Sequence, residues 1–117
     1  MKVLLILNGP AYGDEKIYNA LRLTHALAKA DPAADIVIFL MADAVGCAKA
    51  GQKTPEGYYN LARLLKRVMA AKGRVLLCGT CMDARGLREA EVVEGARRSR
   101  IDDLAQETLM ADKVLGF

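Results

Sequence analysis

The amino-acid sequence predicts an α/β fold in which helices cover a parallel β-sheet. Residues 3–7, 36–41 and 75–77 are short, continuously apolar segments within the expected strands 2–7, 35–41 and 75–78. Such segments are typical of strands buried on both faces, because a strand with one face in water alternates apolar and polar residues. Segments with apolar residues at helical spacing lie between them. Strands and helices that alternate along a chain predict a parallel sheet with right-handed crossovers.

Turn and capping residues set the expected bounds of the first two helices. Asp14 is positioned to cap a helix that runs to about Ala30. Thr54 and Pro55 suit the cap and the first position of a second helix, which Gly73 ends. Its expected buried stripe follows helical spacing and consists of Leu61, Leu64, Leu65, Val68 and Met69.

The remaining segments give shorter or weaker patterns. Asp43 is expected to cap a short helical turn that runs through Cys47. Residues 85–98 are ambiguous, and we interpret them as a short helix followed by a short strand near residues 92–96. Ser99 and Asp102 resemble a capping box for a last helix. Residues 114–117 are expected to form the final strand.

Composition limits the class of protein. The chain has 117 residues, 53% of them hydrophobic and 26% charged, which predicts one folded domain over residues 1–117. The high apolar share suggests that some surface is buried against a partner. No apolar run is long enough to cross a membrane. Three cysteines, an odd number, favour the reducing cytoplasm over a secreted disulfide scaffold.

The charge pattern does not favour nucleic acid as a partner. The net charge is +3, and the one basic cluster consists of Arg97, Arg98 and Arg100. Few aromatic residues lie near it to stack bases, and no recognition motif is present. We interpret the cluster as a solvated turn or as a contact with an acidic neighbour.

Ligands of parallel sheets collect beyond the carboxyl ends of the strands, where residues 8–13, 41–54 and 78–86 are expected to lie. The first of these loops carries Gly9 and Gly13, but it matches neither the dinucleotide fingerprint nor a phosphate loop with its lysine. Asp14 and Glu15 would also oppose a phosphate at the helix start. We therefore expect no nucleotide cofactor.

The strongest chemical motif is the sequence Cys-Gly-Thr-Cys at residues 78–81. A cysteine at the end of a buried strand is held rigidly, and a helix starting within residues 82–86 together with Arg85 would favour its thiolate. Cys81 is close enough to form a disulfide with Cys78 or to resolve its oxidised form. The alternative is that both cysteines are small core residues, the role that we expect for Cys47.

A metal site is not expected. One such motif supplies two ligands, and His25 is the only histidine, whereas a structural zinc site usually has four protein ligands. Only association of subunits could complete a zinc site.

Several segments, taken in order, resemble the DsrE family and especially its YchN-like branch, nearly from end to end. The matching segments are residues 8–15, 19–23, 39–45, 51–58, 78–86 and 111–117. The resemblance implies a three-layer α/β/α fold with a five-stranded parallel sheet, and assembly of identical chains, most simply into a hexamer. It also implies kinship with the sulfur-relay subunits DsrE and TusD, which carry sulfur as a cysteine persulfide.

In those relay subunits the carrier cysteine opens a loop that ends in Arg-Gly, which corresponds here to Cys78 and to Arg85 followed by Gly86. The resemblance therefore implies a cytoplasmic sulfur carrier or sulfurtransferase that holds a persulfide on Cys78 and exchanges sulfur with donor and acceptor proteins. Arg85 would stabilise the anionic sulfur, and Cys81 would be a secondary resolving thiol. The relay subunits lack the second cysteine and the acid at position 83. The alternative function is a non-catalytic oligomeric module that binds a small anion or metabolite between subunits.

Overall fold

A computed structural model of the protein describes residues 1–55 and 59–117. Within these residues, five parallel strands form one sheet with the order β4-β3-β2-β1-β5. The strands are β1 (Lys2–Leu7), β2 (Asp35–Leu40), β3 (Arg74–Cys78), β4 (Arg97–Ser99) and β5 (Lys113–Gly116). The predicted α/β fold with a five-stranded parallel sheet is confirmed.

Four α-helices accompany the sheet in the described residues. They are α1 (Lys16–Ala30), α2 (Leu61–Ala70), α3 (Gly79–Ala84) and α4 (Ile101–Met110), with 3₁₀ turns at Ala42–Ala48 and Glu89–Glu91. The crossovers through α1 and α2 lead in the same direction across the sheet, so right-handed connections put both helices on one face, where they contact each other. The crossover through α4 leads back past β1 to β5, so α4 covers the other face. Within the described residues, no helix has the length and apolar character needed to span a membrane.

The core lies between the sheet and its helices. The central strands β1 and β2 are buried almost throughout, because both faces are covered. Ile17, Ala20, Leu21 and Thr24 of α1 are buried at helical spacing, as the sequence predicts. In the stripe predicted for α2, Leu61, Leu65 and Val68 are buried, whereas Leu64 and Met69 are partly exposed.

The predicted start of α2 is wrong. The helix begins at Leu61 rather than at Pro55, and its cap is Asn60, whose side-chain oxygen accepts the Arg63 N–H at 3.0 Å. An asparagine at this cap accepts a backbone N–H of the first helical turn, which has no hydrogen-bond partner within the helix. Glu56, the acidic residue after Pro55 in the predicted first turn, lies outside the described residues.

The predicted position of β4 is also wrong. The strand occupies Arg97–Ser99 rather than residues 92–96, and it pairs Leu77 with Arg98 and Cys78 with Ser99. Val93 is buried in the core instead of belonging to the strand, and Val92 bridges to Lys49. An edge strand this short and polar is defined by its pairing, so apolar patterning does not reveal it.

Three predicted caps have mixed outcomes. Asp14 lies just before α1 and accepts the Lys16 N–H at 2.9 Å, so an acidic group does stand at that helix start. The short turn through Cys47 is confirmed, but no side chain caps it. At the start of α4 the acid is Asp103 rather than the predicted Asp102, and it accepts from the Ser99 hydroxyl at 2.7 Å and from the Arg100 N–H at 3.2 Å.

A charged cluster ties α4 to the amino end of the sheet. Glu107 on α4 accepts two hydrogen bonds from Arg74 of β3, at 2.6 and 3.2 Å, and its carboxylate lies 2.7 Å from the ammonium nitrogen of Lys2 in β1. Burial alone would raise the pKa of Glu107, but the hydrogen bonds from Arg74 and Lys2 outweigh it and lower that pKa. The ionised carboxylate therefore stabilises the fold.

We predict that Glu107→Gln lowers the free energy of unfolding by about 1–2 kcal/mol at neutral pH, because charge-assisted hydrogen bonds are lost while two cations remain. Since folding depresses the Glu107 pKa, this contribution is complete above the ordinary glutamate value of about 4.3 and disappears as the pH falls below it. Urea unfolding at pH 7 and at acidic pH measures both effects. The exposed Asp102→Asn on the same helix is the control, and equal losses in the two variants would contradict the assignment.

Candidate functional site

Cys78 is the last residue of β3 and the cap of α3, so the strand ends and the helix begins at the same residue. The helix that follows Cys78 starts at Gly79, earlier than the range of residues 82–86 considered from the sequence. The earlier start places both cysteines of the motif in one helical turn. The Cys78 sulfur accepts the backbone N–H of Cys81 at 3.3 Å.

The second cysteine lies directly beside the first. The Cys81 thiol donates to the Cys78 sulfur, with 2.7 Å between the two Sγ atoms. The Cys81 sulfur in turn accepts the backbone N–H of Ala42, just after β2, at 3.2 Å. Cys78 is only 7% exposed, whereas Cys81 is partly exposed. The structure therefore brings the two predicted thiols together.

Arg85 belongs to the same region, and its contacts are with Asp43 and with the backbone of Cys81. Its guanidinium contacts Asp43, with its Nε and Nη2 each 2.8 Å from the carboxylate, and its Nη1 donates to the carbonyl of Cys81 at 3.1 Å. These contacts fix the end of α3 against the 3₁₀ turn that follows β2. They direct the charge of Arg85 to Asp43 rather than to the Cys78 sulfur.

Arg98 is the cation that the sequence analysis did not assign to the site. Its guanidinium lies against Gly79, where an added Cβ atom would be only 2.8 Å from the Arg98 Cζ. It makes two hydrogen bonds of 2.8 Å to Asp83 of α3. Hydrogen bonds with Asp83 raise the pKa of Arg98, and the negative charge of a Cys78 thiolate adds to this effect.

The contact of this arginine with Asp83 confirms one of the two alternatives offered for the basic cluster, a contact with an acidic neighbour. The signal that could have identified Arg98 is the glycine that follows Cys78, because position 79 must lack a side chain for the guanidinium to lie there. That signal is informative only once β4 is known to pair at Arg97–Ser99.

The predicted depression of the Cys78 pKa is wrong. Burial raises the pKa of this thiol, and the neighbouring Cys81 thiol raises it further, against smaller opposing contributions from the backbone amides of Cys81 and Thr80. A buried thiolate loses water that the amides only partly replace. At neutral pH Cys78 is therefore mainly a thiol.

Cys47 lies in the core, as predicted. It is fully buried in the 3₁₀ turn, and burial raises its pKa to about 12. Cys47 is chemically quiet and serves as an internal control for the other two thiols.

The three predicted loops meet at the carboxyl edge of the sheet. Tyr12 in the first loop hydrogen-bonds to the side chain of Gln52, whose amide nitrogen donates to the Cys47 carbonyl at 2.8 Å. The ring of Tyr59 packs on Tyr18, with ring centroids 4.2 Å apart, while Tyr58 is outside the described residues. Across residues 1–55 and 59–117, no group of three or more His, Cys, Asp or Glu side chains is arranged to hold a metal ion. The ring nitrogen Nε2 of His25 lies 3.1 Å from the carbonyl of Leu64.

Sequence comparison identifies the family. The DsrE/DsrF-like family pattern matches residues 1–117. This chain belongs to the DsrE/DsrF-like family. Protein YchN of Escherichia coli K12 is 41% identical over 116 residues, covering 99% of this chain and 98% of YchN. An uncharacterized protein of Methanocaldococcus jannaschii is 35% identical over 117 residues, covering 100% of both chains.

One solved structure supports the same family, and a second shows the same fold. The crystal structure of YchN from E. coli matches with a TM-score of 0.95 at 41% identity, covering 100% of this chain and 99% of YchN. A protein of unknown function from Methanobacterium thermoautotrophicum matches with a TM-score of 0.81 at 11% identity, covering 99% and 98% of the two chains, and shares the fold. The DsrE/DsrF-like assignment and the YchN-like resemblance are therefore confirmed.

The raised pKa and the burial of Cys78 set the expected order of thiol reactivity in this DsrE/DsrF-like protein. We predict that iodoacetamide near neutral pH alkylates Cys81 first, Cys78 second and Cys47 last. Cys81 is the most exposed thiol, whereas burial shields Cys78 and raises its pKa. Peptide mass spectrometry over time measures the order.

The same experiment on Cys81→Ser isolates Cys78. The alkylation rate of Cys78 should keep rising with pH beyond the ordinary cysteine pKa of about 8.5, because the raised pKa means that the thiolate forms only at higher pH. A plateau below that pH, or labelling of Cys78 before Cys81 in the parent protein, would contradict the burial argument.

Proposed function

We propose that this DsrE/DsrF-like protein is a cytoplasmic sulfur carrier that holds sulfur as a persulfide on Cys78. The supporting observation is the position of Cys78, which ends β3 at the carboxyl edge of the sheet and caps α3, with the Arg98 guanidinium against the adjacent Gly79. Family membership supports the sulfur-relay class of function. Donor and acceptor proteins are the proposed partners.

Sulfur loading is a thiol exchange at the outer sulfur of a donor persulfide. The Cys78 thiolate attacks that outer sulfur, the bond between the two donor sulfurs breaks, and the donor leaves as a thiolate. Unloading is the same step in reverse order, with an acceptor thiolate attacking the outer sulfur and the Cys78 thiolate leaving. No electrons are gained or lost overall in either step.

The raised pKa of Cys78 is compatible with this role. Few thiolates are present at neutral pH, but a thiolate of higher pKa is a stronger nucleophile. The S–S bond of a persulfide is about 2 Å long, so the charged outer sulfur would lie that far from the position of the buried thiol sulfur. Arg98, whose guanidinium lies against Gly79, the residue after Cys78, would stabilise that charge.

The alternative is a module that binds a small anion between subunits. The specific observation in its favour is a cleft beside Cys78 that contains both Arg98 and Arg100. Carboxylates accompany both arginines, however, with Asp83 bonded to Arg98 and Asp103 lying 3.8 Å from Arg100. These acids weaken the attraction for a free anion, so sulfur transfer is the better supported function.

We predict that Cys81→Ser, incubated with glutathione persulfide under argon, gains the mass of one sulfur atom on the peptide that contains Cys78. The double variant Cys78→Ser/Cys81→Ser should gain none, because the carrier sulfur is missing. Cys47→Ala in the Cys81→Ser background should load as fully as Cys81→Ser, since Cys47 is buried away from the site. Loading of the protein without Cys78 would exclude Cys78 as the carrier. No loading with glutathione persulfide, polysulfide or thiosulfate would favour the anion-binding module.

We also propose that identical chains assemble, most simply into a hexamer, through the outer surface of α4. Leu104 is the only buried residue of this helix, whereas Ile101 is 62% exposed and Leu109 is 87% exposed. These two side chains follow helical spacing on one face, and an uncovered apolar stripe of this kind marks a contact surface.

Static light scattering at micromolar concentration should give a mass well above the 12.7 kDa of one chain. Replacing both Ile101 and Leu109 by Lys should reduce that mass, because charges would have to be buried in the contact. Leu23→Lys, at an exposed leucine of α1, is the control and should leave the mass unchanged. A monomer in the parent protein would refute the assembly.

A further inference from the structure

We propose that the Cys78–Cys81 pair makes this protein a persulfide reductase, in which sulfur received by Cys78 leaves as hydrogen sulfide. The two cysteines end the reaction as a disulfide. This activity rests on the proposed function, because it requires that Cys78 first accepts sulfur. It differs from relay in its acceptor, which is a thiol of the same chain, and in its product.

The first argument is the distance between the thiols. The sulfur of Cys81 lies 2.7 Å from that of Cys78, and its S–H donates towards it. In a persulfide on Cys78, the atom next to Cys81 is the inner sulfur, which is the atom that must be attacked to form a disulfide. The resolving thiol is thus already in contact with its target.

The second argument is that Cys81 is fixed in this position from two sides. Ala42 donates its backbone N–H to the Cys81 sulfur at 3.2 Å. Ala42 has a φ of 50°, a conformation that is uncommon for alanine. On the other side, Arg85 donates to the Cys81 carbonyl and is itself held by Asp43. Because groups from outside α3 hold it, Cys81 is oriented before sulfur arrives.

The chemical step balances without any further group. The persulfide anion on Cys78 reacts with the Cys81 thiol, forming the bond between the two Sγ atoms and breaking the bond between the Cys78 sulfur and the outer sulfur. The outer sulfur takes the proton of Cys81 and leaves as HS⁻. Over loading and this step together, the two cysteine thiols lose two electrons, and the donor persulfide gains them as it becomes a thiol and hydrogen sulfide.

Competition favours this internal step over transfer to another protein. An external acceptor thiol must diffuse to the site, whereas Cys81 is already in contact, and well-oriented intramolecular groups act at effective concentrations far above those of cellular thiols. The persulfide is therefore short-lived whenever Cys81 is a free thiol. A further turnover requires reduction of the disulfide by an external dithiol, such as dithiothreitol in the test tube.

The test is a single turnover under argon with a stoichiometric amount of glutathione persulfide that has been freed of sulfide. Sulfide is trapped with monobromobimane, and the intact protein mass is recorded at the same times. We expect the parent protein to release about one sulfide per chain and to lose two hydrogens. Cys81→Ser should release no sulfide above the blank and should keep the added sulfur. Cys47→Ala should behave as the parent, because Cys47 is buried elsewhere in the core.

The outcomes separate this inference from the carrier function. If the parent protein keeps the added sulfur as Cys81→Ser does and releases no sulfide, the reductase is refuted while the carrier stands. If neither Cys81→Ser nor Cys81→Ala gains sulfur at Cys78, the carrier function fails, and the reductase fails with it. The measurement on the parent protein needs no substitution, so a variant that folds poorly does not affect it.

Discussion

The parallel pairing of β3 between β2 and β4 is the constraint on which the site depends. Its register places Cys78 opposite Ser99 at the carboxyl edge of the sheet. The chain that leaves β2 supplies Ala42, whose amide contacts Cys81, and β4 supplies Arg98, which covers Gly79. Neighbouring strands of a parallel sheet end at the same edge, so three distant parts of the sequence meet around one turn of helix.

The balance between burial and backbone hydrogen bonding decides the chemistry of Cys78. Capping α3 gives the sulfur an amide partner at 3.3 Å, which favours the thiolate. Burial opposes the thiolate, and its effect on the pKa is larger. A helix of only six residues offers little compensation for the lost water. Cys78 is thus held mainly as a thiol.

The two faces of the sheet are covered unequally, and this bears on assembly. Helices α1 and α2 pack together over one face, whereas α4 covers the other and buries only Leu104. Glu107 anchors α4 through Lys2 and Arg74, so polar contacts at the amino edge supplement its small apolar contact. The outer apolar residues of α4 remain in water, which supports the proposed association of chains and accounts for the high apolar share of so short a sequence.

Sequence by itself determined the long, strongly patterned features. Continuous apolar runs predicted β1, β2 and β3, and helical spacing predicted α1. The position of Cys78 after a buried strand, together with the family segments, indicated the candidate site. These features depend on neighbours along the chain, which is the information that a sequence carries directly.

Only the tertiary structure decided the features that depend on pairing and burial. The strand β4 is short and polar, so its place at Arg97–Ser99 follows from its register against β3 rather than from its composition. That register brings Arg98 to Gly79, whereas Arg85 pairs with Asp43. The sign of the Cys78 pKa shift followed in the same way, because the water removed from a thiol depends on what packs against it and not on the residues that precede and follow it.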